Sequence, residues 1–467
     1  MKKFLYTFLI LTFSIANAQN KISNTLTLSE FLGYVKNYHP IVKQANLTIN
    51  LSEAKLLKAR GAFDPKIEVD YDKKLFKEKE YYNKLNGSFK IPTWYGVEFK
   101  ANFEQNDGLF LNPENNVPED GLYSAGVSIS LAKGLLTNKR MASLKQAKYF
   151  LNQAKEEQQI LINKILYDAS ITYFNWLKTY KENLVYKSFL ENAATRFNGT
   201  KRAFEEGEKP AIDTLEAGIT LNSRKLNLEK SKIKYIKASL ELSNFLWLNN
   251  NTPIELKENI IPDLEAKNSV DKTFNIALFN KENFDIENHP KIKALEFKTK
   301  NLIVEKRLKK NNLLPKIDLQ YNFISADGNQ INSFNSSNYK AGVNFSFPIF
   351  IRKERGDLKL ANIKLLDQKL ENETTKVAIK NKVNSLLLEL ESFNNQNTFT
   401  DTIVRDYNVL LKAEERKFFL GESSLFLVNY REEKFIDAQL KAIKLENEFF
   451  KTKATLFKEA VFNINDN

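Results

Sequence analysis

Residues 38–71 read YHPIVKQANLTINLSEAKLLKARGAFDPKIEVDY, and residues 288–321 read NHPKIKALEFKTKNLIVEKRLKKNNLLPKIDLQY. The two stretches align without a gap, 250 residues apart, so that His39-Pro40 matches His289-Pro290 and Pro65 matches Pro315. Each stretch opens with a proline suited to a first helical turn and ends at a proline that stops the helix. An alternating strand pattern follows in both. The sequence therefore predicts two copies of a unit that starts with a helix and continues into strands.

A second match places residues 202–217 (RAFEEGEKPAIDTLEA) over residues 416–431 (RKFFLGESSLFLVNYR), 214 residues later. Phe204 lies over Phe418 and Gly207-Glu208 over Gly421-Glu422. The shorter offset gives the first copy about 36 additional residues, which fall between Lys77 and Gly121. We predict a first structural repeat over residues 19–270 and a second over residues 271–467, each with a helix, strands, a very long helix, a glycine turn and a partner helix.

The first eighteen residues have the pattern of a secretory signal peptide. Lys2 and Lys3 precede an apolar run, and Ala16-Asn17-Ala18 supplies a small-residue cleavage pattern, so we predict removal of residues 1–18. The chain has no cysteine, and stability after export must come from packing or assembly. The formal charge of +13 comes from lysines dispersed along predicted helices, which is typical of solvated helix faces and argues against nucleic acid as a partner.

The strands predict a sheet with one apolar and one polar face. Apolar residues alternate with polar ones in four runs: Ile67, Val69 and Tyr71; Ala125, Val127, Ile129 and Leu131; Ile317, Leu319, Tyr321 and Phe323; and Ala341, Val343, Phe345 and Phe347. A half-buried soluble sheet is the alternative. Two observations favour a membrane: the return strands lead directly into long helices, with no second sheet to cover the apolar face, and aromatic residues gather near strand ends.

Counting strands predicts the assembly. Two hairpins give four strands, and an open four-stranded sheet would leave backbone groups unsatisfied in lipid. Closure needs roughly eight or more strands, so several copies must combine, and a cyclic trimer with about twelve strands is the preferred solution. The additional residues 77–121 contain another alternating run, from Tyr95 to Phe103, which is either an extracellular hairpin or part of the wall.

Proline-free helical pattern runs from about Asn138 to Ala203 and from about Lys353 to Phe418. Each helix would be on the order of 100 Å long. Apolar residues recur at 4-3 or seven-residue spacing, which predicts antiparallel coiled-coil hairpins: Ile162, Leu166, Ala169, Tyr173, Trp176 and Tyr180; Ile379, Val383, Leu386, Leu390 and Phe393; Ile219, Leu226, Ile233, Leu240 and Trp247; and Val428, Phe435, Ala442, Phe449 and Leu456. The hairpin tips fall at Gly207 and Gly421.

These residues resemble the TolC-like family of outer-membrane efflux proteins over essentially the whole mature chain. The resemblance is carried by the two His-Pro helix openings, by Phe345-Ser346-Phe347-Pro348-Ile349-Phe350 leading to Arg352, and by the Phe-x-x-Gly-Glu tip turns. It implies a mainly α fold with a membrane β-barrel portion: a homotrimer that combines an α-helical barrel with a β-barrel of about twelve strands. Pro348 and Phe350 would form the strand-helix junction.

The resemblance also implies a function: an outer-membrane channel subunit of a tripartite efflux or type I secretion system in a Gram-negative-type cell, with a large periplasmic part. Its partners would be a periplasmic adaptor (membrane fusion) protein, an inner-membrane pump of proton-driven or ABC type, and outer-membrane lipid. The adaptor would dock at the hairpin tips, through Phe204, Gly207, Glu208, Phe418, Gly421, Glu422 and Ser423. The periplasmic entrance would lie near Asp213, Leu427 and Tyr430. Some family members have acidic residues where Leu427 and Tyr430 stand here, so the resemblance does not extend to an aspartate ring.

No pattern of catalytic, cofactor-binding or metal-binding residues is found, and the two histidines occupy equivalent helix openings where a structural role is expected. We therefore predict that the chain is not an enzyme. The alternative is a periplasmic coiled-coil adaptor protein, but the usual lipoyl-like β-module between two helical halves is missing.

Overall fold

A computed structural model describes residues 24–276, 284–328 and 333–461. The predicted signal peptide lies outside the described residues. Contacts divide the chain into two compact units. The tip unit comprises residues 1–43, 161–284 and 381–467, and the sheet unit comprises residues 44–160 and 285–380. Each unit takes residues from both predicted repeats, whose boundary at residue 270 stays a prediction from the duplicated sequence.

The helices are α1 (Leu28–Tyr38), α2 (Pro40–Arg60), α3 (Lys139–Glu205), α4 (Ala211–Ser243), α5 (Ala266–Thr273), α6 (Pro290–Asn311), α7 (Arg352–Phe419) and α8 (Leu425–Ala460). The two longest helices, α3 and α7, begin and end within two residues of the predicted positions, whereas α1 and α5 were not predicted. The strands are β1 (Thr25–Leu26), β2 (Lys66–Phe76), β3 (Lys79–Pro92), β4 (Val97–Asp107), β5 (Leu122–Ser130), β6 (Ile261–Pro262), β7 (Lys316–Ser325) and β8 (Tyr339–Ser346). Among the described residues, no helix is long and apolar enough to cross a membrane.

The sheet unit contains one antiparallel sheet in the order β2-β3-β4-β5-β7-β8. It has six strands, which corrects the count of four on which about twelve strands in a trimer were based. Residues 77–121, the additional residues of the predicted first repeat, supply most of the difference, because β3 and β4 pair between β2 and β5. Of the two alternatives for this segment, the structure has strands that continue the sheet. The edge strands β2 and β8 are exposed along their whole length.

The tip unit has an aromatic core, which confirms the predicted packing role of the 4-3 row on α3. Tyr173 and Trp176 are fully buried, together with Phe174 and Phe450. The Tyr173 hydroxyl donates to the Leu26 carbonyl at 2.8 Å, so its polar atom is satisfied inside the core. Burial raises the pKa of Tyr173 above its ordinary value. The rows on α7 and α8 are buried in the same way, with Ile379, Val383, Leu386, Phe393, Val428, Phe435, Phe449 and Leu456 all below a tenth exposed.

The row on α4 is different. Ile219, Leu226, Ile233 and Leu240 are half or more exposed, so the prediction that they pack within the chain is wrong. A second row, also at seven-residue spacing, is buried instead: Ala217, Arg224, Ser231 and Ala238. Its small side chains allow α3 to approach closely, with the Trp176 indole N–H on the Ser239 hydroxyl at 3.0 Å and Asn183 on the Ser231 hydroxyl at 2.9 Å. The larger apolar residues therefore face away from the chain's own core.

Both histidines open helices. The Nδ1 of His39 accepts a hydrogen bond from the backbone N–H of Ile41 at 3.2 Å, and that of His289 accepts one from Lys291 at 3.1 Å. Each imidazole thus satisfies an otherwise unpaired donor of the first helical turn. Burial lowers the pKa of His39, although a hydrogen bond to the backbone of Asn244 acts in the opposite direction. This geometry agrees with the structural role expected of the pair.

Candidate functional site: the two helical-hairpin tips

The two tip turns have the same backbone geometry. Gly207 and Gly421 both adopt φ of +78°, a left-handed conformation that favours glycine. The Gly207 N–H donates to the Phe204 carbonyl at 3.0 Å, and the Gly421 N–H donates to the Phe418 carbonyl at 3.1 Å.

The following residue closes a wider ring in each turn. Glu208 N–H donates to the Ala203 carbonyl at 2.8 Å, and Glu422 N–H donates to the Lys417 carbonyl at 2.9 Å. Such paired bonds satisfy the last carbonyls of a helix and end it sharply. The two matched sequences therefore form matching turns.

The predicted docking residues lie together at the tips, with different exposure. Phe204 is 43% exposed, whereas Phe418 is partly buried against a cluster that contains Phe189 and Phe435. The Lys209 ammonium of the first turn lies 4.1 Å from the centroid of the Phe418 ring of the second. The tips thus contact each other through a cation–π interaction, and Phe418 belongs to the support of the site more than to its surface.

Several apolar side chains at the tips remain uncovered. Both glycines are exposed, and a Cβ atom added at either would meet no neighbouring atom within 4 Å. Around them are exposed residues that the sequence analysis did not single out: Phe419 at 89%, Leu420 at 60%, Phe426 at 63% and Ile212 at 64%. The sequence could have indicated this surface, because the backbone geometry of the turns does not require apolar residues beside the glycines.

Of the three predicted entrance residues, Leu427 and Tyr430 are exposed on the first turns of α8. The backbone N–H of Leu427 donates to the hydroxyl of Ser424, the helix N-cap, at 3.3 Å. Asp213 lies in the first turn of α4, where a carboxylate is favoured by the helix dipole. A helix-terminal role is thus sufficient for Asp213.

A buried ionic cluster near the tips was missed by the sequence analysis. Glu432 on α8 is fully buried and contacts Arg196 on α3 and Arg224 on α4, the latter with Nε–Oε1 of 3.4 Å. Arg196 also contacts Glu415 on α7 at 3.5 Å, and burial raises the pKa of the Glu415 carboxyl. Two arginines and two glutamates thereby join all four helices. Glu432 follows Val428 by four residues and therefore occupies a core position of the heptad pattern. A charged residue at such a position could have indicated a buried ion pair.

Pro348 and Phe350, the predicted strand-helix junction, lie in the short connection between a strand and a helix. β8 ends at Ser346 and α7 begins at Arg352, with Pro348 and Phe350 between them. The Arg352 guanidinium lies 4.9 Å from the centroid of the exposed Phe350 ring. Across the described ranges, no group of three or more His, Cys, Asp or Glu side chains is placed to hold a metal ion.

Comparisons with known proteins agree with this architecture. Residues 286–458 match the family model of the outer membrane efflux proteins. No curated protein sequence matches the chain.

Similar folds occur in three outer-membrane proteins. One is the outer membrane protein VceC from Vibrio cholerae (TM-score 0.67, 11% identity, 94% of this chain and 97% of that one). The others are the CmeC outer membrane channel of Campylobacter jejuni (0.64, 14%, 95% and 87%) and the MtrE outer membrane channel of Neisseria gonorrhoeae in its open state (0.64, 13%, 93% and 88%).

These three structures match the fold of nearly the whole chain at low sequence identity. The sequence of residues 286–458 is therefore similar to the outer membrane efflux proteins, and nearly the whole chain shares the fold of solved outer-membrane channels.

Proposed function

We propose that three copies of this chain form an outer-membrane conduit that receives its substrate through a periplasmic adaptor from an inner-membrane pump. The sheet carries this proposal. Its edge strands β2 and β8 expose apolar residues such as Val69 and Val343, and no strand among the described residues pairs with their outer backbone groups. An open edge cannot remain in lipid. Pairing of β2 with β8 of the next copy closes a ring without free edges.

The exposed row on α4 supports the same assembly. Ile219, Leu226, Ile233 and Leu240 recur every seven residues and are uncovered in the single chain. Such a row is typical of a helix that packs against another helix. A neighbouring copy is the partner that symmetry supplies.

The tips are the proposed adaptor-docking surface. Each tip has an exposed glycine turn, and uncovered apolar residues lie around both turns. At the glycines the backbone itself is accessible, because no side chain covers it. An adaptor's helical hairpin can pack closely against such a surface, as helices pack against glycine positions elsewhere.

Replacement of both tip glycines tests docking. We expect Gly207→Trp with Gly421→Trp to abolish efflux, because the space around each added Cβ is open and the added bulk projects into the docking surface. The control is Gly207→Asn with Gly421→Asn, since asparagine tolerates the left-handed backbone. Efflux is measured as tolerance to compounds whose export depends on the native gene, with trimers checked in extracted membranes. Normal tolerance in the tryptophan variant would contradict docking at the tips.

A further inference from the structure

We propose that β3 and β4 belong to the membrane-spanning wall, so that each copy contributes six strands and the pore is wider than a twelve-stranded one. This inference rests on the proposed trimeric conduit. It concerns the segment for which the sequence left an extracellular hairpin as an alternative.

Pairing shows that β3 and β4 extend over the full height of the sheet. β3 pairs with β2 from Lys90 opposite Lys66, at the start of β2, to Lys79 opposite Phe76, at its end. β4 pairs with β5 from Val97 opposite Ile129 to Glu104 opposite Leu122. An extracellular hairpin would pair with its neighbouring strands only at the ends that are farthest from the helices.

The turn between β3 and β4 lies at the end of the sheet where the helices begin. Trp94 in this turn stacks on Phe63, just before β2, with ring centroids 5.7 Å apart. The Asn138 amide, just before α3, donates to the Trp94 carbonyl at 3.0 Å, and Arg140 forms an ion pair with Glu98 at 2.6 Å.

The same turn is packed closely against the segment that follows β5. Gly96 adopts φ of +67°, and an added Cβ would lie 2.5 Å from the Gly134 carbonyl oxygen. β3 therefore returns all the way to the helical end of the sheet before β4 leaves it.

Near the helical end of the sheet, both strands continue the two-faced pattern of their neighbours. On the apolar side, the register aligns Ile67, Phe89, Ala101, Ala125, Phe323 and Tyr339 across the six strands. The next position along adds Ile91 and Phe99, and Phe99 is 54% exposed. Lipid acyl chains are the occupant that fits this continuous apolar face, because the strands alternate as in an outer-membrane barrel.

The opposite face is polar and concave. In register it carries Lys66, Lys90, Lys100, Gly126, Asn322 and Lys340. Lys340 on β8 forms an ion pair with Glu104 on β4 at 3.6 Å, across the two strands that lie between them. That contact requires β4 and β8 to curve toward each other on this side. The polar residues of β3 and β4 therefore line the lumen.

The register also gives the tilt of the strands. The line from Lys66, the first residue of β2, reaches Lys340, which lies six residues before the end of β8. Six residues correspond to about 20 Å along the strand, and five strand spacings to about 24 Å across. The strands are thus tilted by about 40°, within the range of membrane barrels.

Three copies of a six-stranded sheet give eighteen strands. At this tilt, a closed barrel of eighteen strands is roughly 36 Å across between backbones, against roughly 24 Å for twelve. Barrels of 16–18 strands leave an open aqueous channel. The outer-membrane part of this conduit can therefore pass a bulkier substrate than a twelve-stranded wall, with a lumen that carries lysines and carboxylates together.

Cysteine accessibility tests the proposal, and the chain offers a cysteine-free background. Two single variants probe β4: Phe99→Cys on the apolar face and Lys100→Cys on the polar face. Leu319→Cys and Gln320→Cys form the matched pair on β7. Each variant is treated in intact cells with a charged, membrane-impermeant maleimide. We expect Lys100→Cys to react at least about tenfold faster than Phe99→Cys, because lipid excludes the reagent, with the same contrast in the β7 pair.

Equal and fast reaction of Phe99→Cys and Lys100→Cys, with contrast kept on β7, would overturn the wall position of β4 and leave the conduit standing. Loss of contrast in both pairs would contradict the membrane barrel itself. A strand count by electron cryomicroscopy of the unmodified protein in lipid nanodiscs needs no substitution. Eighteen wall strands are expected, and twelve with an external cap would overturn the proposal.

Discussion

In the tip unit, Tyr173, Trp176 and Phe450 are enclosed by residues of the same chain, and even the Tyr173 hydroxyl has a partner there. In the sheet unit, Ile67 and Val343 remain 78% and 72% exposed. Both regions are rich in apolar side chains, but only the first removes them from water by its own packing. Apolar side chains of the strands thus need an environment outside the chain, whereas the rows on α3, α7 and α8 form a core within it.

Removal of an enclosed side chain should have the largest effect on stability. Trp176→Ala should lower the free energy of unfolding by about 3–5 kcal/mol, because it leaves a cavity and a Ser239 hydroxyl without its indole donor. The control is Phe419→Ala at the exposed end of α7, expected to change stability by about 0.5 kcal/mol or less. Urea unfolding followed by circular dichroism in detergent measures both. Equal losses in the two variants would mean that the aromatic core does not hold the tip unit together.

The buried ionic cluster extends the comparison to charge. Glu432→Gln leaves Arg196 and Arg224 without their shared carboxylate, and we expect a loss of about 3–5 kcal/mol. The neighbouring Glu433→Gln is the matched control, because Glu433 is exposed. Protease resistance of the assembled protein reports the loss. Unchanged resistance in Glu432→Gln would show that the four helices are joined by packing alone.

An added positive charge should affect membrane insertion on one face of the sheet and not on the other. Val343→Lys places a charge on the apolar face of β8 and should weaken membrane insertion by about 2–4 kcal/mol at mid-depth. Asn344→Lys, one residue later, faces the polar side and should insert nearly as the native protein does. Refolding into lipid vesicles, with the inserted fraction measured by protease protection, compares the two. Similar insertion of both variants would contradict the assignment of the faces.

The smallest effect concerns His39. Because burial lowers the pKa of His39 in the folded state, the unfolded chain binds the additional proton as the pH falls through about 6.5. Stability is therefore fully present above that pH and decreases below it, by no more than about 1.4 kcal/mol per pH unit. His39→Asn keeps a side-chain acceptor for the Ile41 N–H and should flatten this dependence between pH 7.5 and 5. An unchanged slope in the variant would assign the pH dependence to other groups.

Much of the fold could be predicted from the sequence, because a long periodic pattern of apolar residues identifies a helix and its approximate ends. The bounds of α3 and α7 and the turns at Gly207 and Gly421 lie within a few residues of their predicted positions. β3 was not predicted as a wall strand, because Gly87 and Asn83 interrupt its apolar alternation, and only the pairing with β2 and β4 shows its place.

Orientation was harder to predict than location. The row that begins at Ile219 has the spacing of a seam, but spacing alone does not say whether the partner helix belongs to the same chain or to another one. The row of Ala217 and Ser231 is buried instead because small residues permit close approach, a preference that an apolar pattern does not reveal. The Glu432 cluster likewise depends on charges from four helices that meet only in the fold.

The proposed conduit requires that the sheet of one chain be completed in lipid by the sheets of identical chains. Native mass spectrometry of the protein extracted from membranes tests it most directly. The account predicts a complex of three copies that requires detergent to stay in solution. A monomer that remains soluble in plain buffer after detergent is removed would contradict it.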